Sequence, residues 1–261
     1  MQNKKLVFVV VLFLLGNLYA QNNDDYLKRQ FVKGNDTLNY RILYPEKFSK
    51  TKAYPLVLFL HGSGERGKDN TKQLIHGSSL FLDSINRKKY PAIVIFPQCA
   101  REDYWANVIV DRSTRPFSRK FPEGGEPTKS LSLVLSLLDV FMNDPIVEKK
   151  QVYVGGLSMG GMGTFEILSR KPGLFAAAFA ICGGGNLALA EKYATNTALW
   201  VFHGANDNVV NPQLSIDMVS SIINFSGKPN FTLYGHANHN SWDAAFAEPE
   251  LLSWLFSNIK Q

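Results

Sequence analysis

Six short apolar runs, each about as long as a β-strand, most constrain what this chain can fold into. Their residues are apolar consecutively rather than alternately, which indicates strands covered on both faces. The runs span 56–60, 92–96, 152–155, 176–181, 199–202 and 231–234. Because strands covered on both faces belong to parallel sheets with helices on either side, the runs predict a mostly parallel central sheet.

Helical stretches separate these runs and complete an α/β pattern. They are predicted at 71–86, 131–143, 160–169, 213–224 and 248–259. Before them, two alternating segments at 27–32 and 37–43 flank Gly34, which predicts an antiparallel hairpin. Strands alternating with helices indicate right-handed βαβ units. With 261 residues and no internal linker or repeat, we expect one α/β domain over 21–261.

The sharpest functional signal is a G-x-S-x-G motif centred on Ser158. It follows the run at 152–155 and precedes the helical stretch at 160–169. That setting is a nucleophile elbow, in which a tight strand-to-helix turn lifts the serine hydroxyl above the edge of the sheet. A serine hydroxyl needs a base within hydrogen-bond reach and an acid that orients the base. The motif therefore predicts an acid and then a histidine downstream.

The downstream histidines are His203, His236 and His239. His203 ends a predicted strand and is interpreted as structural. His239 begins the loop before the last helices and is the predicted general base, with His236 as the alternative. Asp207 follows the strand at 199–202 and is the predicted acid; the other reading is an aspartate that only bonds its own loop, as in an Asx turn.

An oxyanion formed on the substrate needs backbone N–H donors. Met159 supplies one, because it follows the nucleophile at the start of a helix. We expect Ser63 to supply the other, from the glycine-flanked loop after the strand at 56–60. His61 in the same loop is predicted to be a scaffold residue without a role in proton transfer.

Residues 101–129 interrupt the alternation of strands and helices, with three prolines and a Gly-Gly pair among aromatic residues. Long loops in compact domains usually act as lids or binding loops. This stretch is therefore a candidate binding loop, and the alternative is a surface insertion without a role.

The first 20 residues predict a secretory signal peptide, because Lys4 and Lys5 precede an apolar run at 6–15 and a small residue stands at Ala20. The alternative is a transmembrane anchor, for which the run is short. We therefore expect a secreted or periplasmic protein with no stable membrane insertion after cleavage. The formal charge of +6 is mild and its bases are dispersed, which does not indicate a nucleic-acid partner. Export would permit a disulfide between Cys99 and Cys182, but free thiols are favoured, because two strands should separate the strands that they end.

Five segments give the chain a resemblance to a known group of enzymes. They read LFLHGSGERG at 58–67, FPQC at 96–99, GLSMGG at 156–161, CGGG at 182–185 and HNSWDAAF at 239–246. In these the chain resembles the α/β-hydrolase esterases related to family 1 carbohydrate esterases, which include feruloyl and acetyl-xylan esterases, with polyhydroxybutyrate-depolymerase-like relatives. The resemblance implies an α/β-hydrolase fold, a triad of Ser158, Asp207 and His239, and substrate-binding roles for Gln98, Trp105 and Trp242.

Motifs and resemblance together predict a serine carboxylesterase that forms an acyl-enzyme and needs no metal or organic cofactor. The expected substrates are acetyl or feruloyl esters linked to plant polysaccharides, by analogy. One alternative is a peptidase of the prolyl-oligopeptidase type, although such enzymes usually carry a propeller domain. The other is a carbohydrate-binding protein that kept the fold and lost catalysis. The sequence leaves open the acyl group, the sugar and the oligomeric state.

Overall fold

The protein is described by a computed structural model over residues 23–261. The predicted signal peptide at 1–20 lies outside the described residues. In this part of the chain ten strands follow one another: β1 (Leu27–Lys33), β2 (Asp36–Leu43), β3 (Tyr54–Leu60), β4 (Ile93–Pro97), β5 (Ile109–Asp111), β6 (Ser118–Lys120), β7 (Val147–Leu157), β8 (Ala177–Ile181), β9 (Ala198–Gly204) and β10 (Asn230–Tyr234). All six predicted apolar runs fall within or overlap one of these strands.

Eight strands form one sheet in the order β1-β2-β4-β3-β7-β8-β9-β10. The β1–β2 hairpin and the β2–β4 pair are antiparallel, and every other pair is parallel. The chain passes from β3 to β4 on one side and then crosses to β7 on the other. The order of strands therefore switches between β3 and β7, and in open α/β sheets ligands bind beyond the carboxyl ends of the strands at such a point.

Strand β3 shows why the central strands are apolar without alternation. Leu56, Leu58 and Leu60 pack into the hydrophobic cluster on one face of the sheet. Val57 and Phe59 pack into the cluster on the other face. All five side chains are buried. Because both faces are covered, neither set of alternate positions can be polar, and the predicted parallel sheet is confirmed.

The described residues form seven α-helices. They are α1 (Ser78–Leu82), α2 (Ser84–Lys89), α3 (Lys129–Asn143), α4 (Met159–Arg170), α5 (Gln213–Asn224), α6 (Trp242–Phe246) and α7 (Leu251–Ser257). The buried leucines of α3 join the first cluster and those of α7 join the second. Helices therefore lie on both faces of the sheet, as predicted.

The continuous helix predicted at 71–86 is wrong. A short 3-10 turn at Lys72–Leu74 comes first, and Gly77 then takes a φ of 81°, in the left-handed region. Asp83 interrupts the helix a second time. It is the N-cap of α2, and its carboxylate accepts hydrogen bonds from Ile85 N–H and Asn86 N–H. The single predicted helix at 248–259 is also shorter in the structure, where α7 covers Leu251–Ser257.

The long stretch at 101–129 contains a small antiparallel ribbon made by β5 and β6. Just before β6, Phe117 forms a parallel bridge with Val210, which lies on the loop after β9. The Arg119 guanidinium adds a second tie by donating to the Val209 carbonyl oxygen at 2.8 Å. The predicted binding loop is thus docked on the loop that carries Asp207.

The two cysteines are free, as predicted, and both are buried. Cys99 follows β4 and Cys182 follows β8, and β3 and β7 lie between those two strands. Of the helices in residues 23–261, none has the length and apolar character that crossing a bilayer requires.

Candidate active site

Ser158 occupies a strained turn between β7 and α4. Its φ of 53° and ψ of −115° place a non-glycine residue in a sparsely populated region of backbone space. Two backbone hydrogen bonds hold it there, from Ser158 N–H to the Ile181 carbonyl oxygen at 2.8 Å and from Met162 N–H to the Ser158 carbonyl oxygen at 3.0 Å. This is the geometry of a nucleophile elbow.

The glycines of the motif are present because the turn leaves no room for side chains. A Cβ on Gly156 would lie 2.3 Å from the carbonyl oxygen of Gly160. A Cβ on Gly160 would lie still closer to the carbonyl oxygen of Leu60, at the end of the neighbouring strand β3. The start of α4 is thus packed directly against the loop that follows β3.

His239 reaches Ser158 from the loop after β10. Its Nε2 lies 3.1 Å from Ser158 Oγ, and its Nδ1 lies 2.8 Å from Asp207 Oδ2. His236, the alternative base, is exposed, whereas His239 is half-buried against the serine. The structure therefore brings together the three side chains that the sequence singled out, in the order serine, histidine, aspartate.

The two carboxylate oxygens of Asp207 have different hydrogen-bond partners. Oδ1 accepts hydrogen bonds from Val209 N–H at 2.8 Å and Val210 N–H at 2.9 Å, which is the Asx-type turn considered from the sequence. Oδ2 faces His239. The aspartate thus forms the loop turn and contacts His239 as well, so it does not bond its own loop alone.

Burial of Asp207 would by itself raise the pKa of its carboxyl. Hydrogen bonds from His203 and His239, the charge interaction with His239 and the Val210 N–H outweigh that effect and hold the pKa well below its usual range. The carboxylate is consequently ionised at every pH at which a histidine titrates.

His203 is more than a packing residue. It is fully buried at the end of β9, and its Nε2 lies 3.2 Å from Asp207 Oδ2 and 3.1 Å from the Val210 carbonyl oxygen. Sequence reasoning interpreted this histidine as structural and missed the contact with the acid. The only signal was its spacing of four residues from Asp207 across the end of a strand.

His61 ties the loop after β3 to the loop after β4. Its Nδ1–H donates to the Gly62 carbonyl oxygen at 2.6 Å, and its Nε2 accepts from Cys99 N–H at 3.0 Å. Burial lowers the pKa of His61 to about 4, against a small raising effect of the Gly62 carbonyl. A neutral imidazole with both nitrogens occupied fits the predicted scaffold role.

The two predicted oxyanion donors lie at the ends of neighbouring strands. Met159 is the first residue of α4, and Ser63 begins a short 3-10 turn after β3. Strands β3 and β7 pair in parallel up to Leu60 and Gly156. Within residues 23–261, neither N–H donates a hydrogen bond to a protein group. Both are thus available to a ligand, and their role as an oxyanion hole stays a prediction.

The expectation that Gln98 and Trp105 contact substrate needs correction, because both side chains are buried. Gln98 accepts from Asn70 N–H at 2.7 Å and donates to the Glu65 carbonyl oxygen at 3.1 Å. Trp105 is fully buried, and its Nε1–H donates to the His61 carbonyl oxygen at 3.1 Å. The two residues brace the Ser63 loop from inside and have no surface to offer a ligand.

Trp242, the third residue expected to bind substrate, is half-buried beside the base. Its ring meets the His239 ring edge-on with centroids 5.2 Å apart, and the His76 ring lies 5.1 Å away on another side. This indole limits how the His239 imidazole can turn. Its position next to the base leaves contact with the substrate as a prediction.

One group of side chains in the described part of the chain has the composition of a metal site. Ligand atoms of Cys182, Asp207 and His239 lie within 4.8 Å of one another. Asp207 and His239 are already hydrogen-bonded to each other. Burial raises the pKa of the Cys182 thiol far above its usual range, so the sulfur is a neutral thiol and a poor metal ligand.

Comparison with known proteins agrees with this geometry. The family model Esterase, described as "Putative esterase", matches residues 33–242. The bifunctional acetylxylan esterase/xylanase XynS20E of Neocallimastix patriciarum is 34% identical over 101 residues, which cover 36% of this chain and 15% of that protein.

Two solved structures extend the comparison. A thermostable esterase has a TM-score of 0.81 and 31% identity, over 91% of this chain and 64% of that one. A CE1 ferulic acid esterase from Anaeromyces mucronatus, solved with ferulic acid, has a TM-score of 0.61 and 15% identity, over 85% of this chain and 86% of that one. The chain spans less than two thirds of the bifunctional protein and of the thermostable esterase.

The family match covers most of the chain, and the sheet order, the elbow and the esterase neighbours agree with it. The chain belongs to the Esterase family and is built on the α/β-hydrolase fold.

Proposed function

We propose that Ser158, His239 and Asp207 are the catalytic residues of this esterase and that it works through an acyl-enzyme. The observation that carries the proposal is the chain of two contacts, 3.1 Å from Ser158 Oγ to His239 Nε2 and 2.8 Å from His239 Nδ1 to Asp207 Oδ2. A hydroxyl, an imidazole and a carboxylate in this order can move a proton from the nucleophile to the leaving group.

The first half-reaction forms the acyl-enzyme. Ser158 Oγ attacks the carbonyl carbon of the ester while His239 Nε2 takes the hydroxyl proton. The ionised Asp207 stabilises the imidazolium and keeps Nδ1 protonated. Collapse of the tetrahedral intermediate breaks the bond to the alcohol, which leaves with the proton from Nε2. Water then attacks the acyl-enzyme by the same route and releases the acid.

Backbone amides provide the charge stabilisation in this proposal. The tetrahedral intermediate carries a negative oxygen, which Met159 N–H and Ser63 N–H would bind. The close packing of α4 against the end of β3 supports a fixed spacing between those two donors. Donors already in position do not have to reorganise as the charge develops.

The proposed substrates are acetyl or feruloyl esters of plant polysaccharides. Two similar proteins support this proposal, an acetylxylan esterase/xylanase and a ferulic acid esterase. The open position of His239 and Trp242 suits a large substrate, since both are half-buried rather than enclosed. The signal-peptide pattern at 1–20 supports a secreted or periplasmic location, where an enzyme has access to such polysaccharides.

Two alternatives use the same fold. A peptidase of the prolyl-oligopeptidase type would use the same three residues on an amide bond. A carbohydrate-binding protein without catalysis would have no use for a serine held in a strained turn against a histidine. The reaction of Ser158 with a fluorophosphonate probe separates the second alternative from an active hydrolase.

The decisive experiment measures acids released from acetylated, feruloylated xylan by chromatography. Ser158→Ala serves as the blank, and Ser169→Ala is the matched control, since Ser169 is buried in α4 and bonds only the Glu166 carbonyl oxygen. Acetate or ferulate released by the wild type and the control but not by Ser158→Ala is the expected result. Equal release by Ser158→Ala would exclude Ser158 as the nucleophile. A wild-type protein that releases neither acid but cleaves prolyl peptides in a parallel assay would favour the peptidase.

A further inference from the structure

The acid of the proposed triad is contacted by a second histidine, which the mechanism above does not use. His203 is fully buried, with its Nε2 3.2 Å from Asp207 Oδ2, the same oxygen that faces His239 Nδ1 at 2.8 Å. One carboxylate oxygen thus lies between two imidazoles.

The partners of His203 determine where its proton lies. Nε2 faces Asp207 Oδ2 and the Val210 carbonyl oxygen at 3.1 Å, and both of these can only accept. Nε2 therefore carries the proton and shares it between the two oxygens. Nδ1 lies 2.7 Å from Ser215 Oγ, closer than the 3.1 Å from that hydroxyl to the Gly183 carbonyl oxygen. That hydroxyl donates to the Gly183 carbonyl oxygen, so the contact at Nδ1 does not compete for the proton on Nε2.

Hydrogen-bond donors contact both oxygens of the Asp207 carboxylate. Val209 N–H and Val210 N–H bind Oδ1, while His203 Nε2–H bridges Oδ2 and the Val210 carbonyl oxygen. With His239, four donors surround the two oxygens. Rotation of the carboxylate about its Cβ–Cγ bond would break at least one of these contacts at each end.

We propose that His203 is a positioning residue of this esterase: its Nε2–H holds Asp207 so that Oδ2 stays directed at His239. The inference rests on the proposed function, because it assumes that Asp207 orients the catalytic base. It assigns His203 a role in catalysis that acts through Asp207 and not through contact with the substrate.

Losing this donor should leave the negative charge of Oδ2 less compensated and therefore more attractive to a protonated His239. The acid limb of the kcat/KM profile should then move to higher pH, because a larger fraction of His239 is protonated at a given pH. Other groups that bear on Asp207 and His239 are the Cys182 thiol, the Arg119 guanidinium and the Trp242 ring. None of these is altered by a change at His203, so the shift reports the lost donor.

The test compares His203→Leu with His203→Gln. Leucine fills the space without a donor, whereas the glutamine amide can place an N–H near the position of Nε2. We expect kcat/KM of the leucine variant on p-nitrophenyl acetate to fall on the order of tenfold, the value of one hydrogen bond, with its acid limb moved to higher pH. The glutamine variant should stay near the wild type in both respects. The proposal would be overturned if both variants fold and have the same kcat/KM and the same pH profile as each other.

A second measurement needs no variant and no activity, so it stands even if the leucine variant does not fold or the wild type proves inactive on the ester. In the wild-type protein labelled with ¹⁵N-histidine, NMR identifies which nitrogen of each buried imidazole carries a proton. The proposal requires a slowly exchanging proton on His203 Nε2. A proton on Nδ1 alone would overturn it, while the Ser158→Ala comparison tests the proposed function separately.

Discussion

A Cβ added to Gly160 would lie 1.8 Å from the carbonyl oxygen of Leu60. Gly160 is in the first turn of the helix after the nucleophile, and Leu60 ends the strand that leads to Ser63. The two segments that bear the proposed oxyanion donors are therefore in direct backbone contact. A side chain at position 160 would fit only if one of the two segments moved.

Gly160→Ala should destabilise the fold and the site together. The methyl group overlaps backbone rather than a flexible side chain, so we expect a loss of about 3 kcal/mol or more in the free energy of unfolding, the upper part of the range for overpacking. Urea unfolding followed by circular dichroism gives the value. Gly235→Ala is the matched control, because nothing lies within 4 Å of a Cβ there, and equal stability of the two variants would contradict this packing.

Asp207→Asn should keep the shape of the site and lose its charge. The amide oxygen can still accept from Val209 N–H and Val210 N–H, but the group that faces His239 no longer stabilises an imidazolium. We expect kcat to fall about 10⁴-fold, as for the same change in a serine protease triad, where the histidine is left in the wrong tautomer, with little change in KM. Steady-state kinetics on p-nitrophenyl acetate measures both. Asp217→Asn is the control, since Asp217 bonds only Gln213 on the exposed side of α5, and a loss there of similar size would point to a general effect of charge.

Much of this site could be predicted from the sequence because its backbone requirements are local. The elbow needs a buried strand, a serine and small residues within a few positions, and all of these are read directly at 152–161. The order of acid and histidine along the chain follows from the order of the strands, so Asp207 and His239 could be chosen without coordinates.

The remaining features depend on contacts that no local pattern encodes. Gln98 lies in the FPQC segment and Trp105 follows it, yet whether either residue faces a ligand or the core is set by the packing of the loops after β3 and β4, which no local pattern predicts. The contact of His203 with Asp207 depends on how the chain turns after β9. Similarly, the break in the helix predicted at 71–86 depends on a positive φ at Gly77 and on the N-cap at Asp83.

The two thiols should be unreactive in the folded protein. Burial raises the pKa of Cys99 to about 12 and that of Cys182 further, so almost no thiolate is present near neutral pH. We expect no reaction with iodoacetamide in buffer and two labelled cysteines in denaturant, read by mass spectrometry. Rapid labelling of Cys182 in the native protein would show that the region beside Ser158 opens. Failure to label either residue in denaturant without reductant would reveal a disulfide, contrary to the two free thiols.

The stability of the protein should fall in mild acid because of His61. Its folded pKa of about 4 lies below the ordinary 6.5, since burial disfavours the charged form and both nitrogens already have partners. Below about pH 6.5 the unfolded chain takes up a proton that the folded protein refuses, so this contribution is complete above that pH and is lost as the pH falls. The difference corresponds to about 3 kcal/mol by about pH 4. Urea unfolding across this range measures it.

The control for this prediction removes the titrating group. His61→Gln should be less stable than the wild type at neutral pH, because it loses the hydrogen bonds to Gly62 and Cys99, but its stability should fall less steeply with acid. The two proteins should therefore converge as the pH approaches about 4. His236→Gln changes an exposed histidine and is the matched control for replacing a histidine by glutamine. A wild-type protein whose stability runs parallel to that of His61→Gln would mean that His61 can accept a second proton within the folded loop.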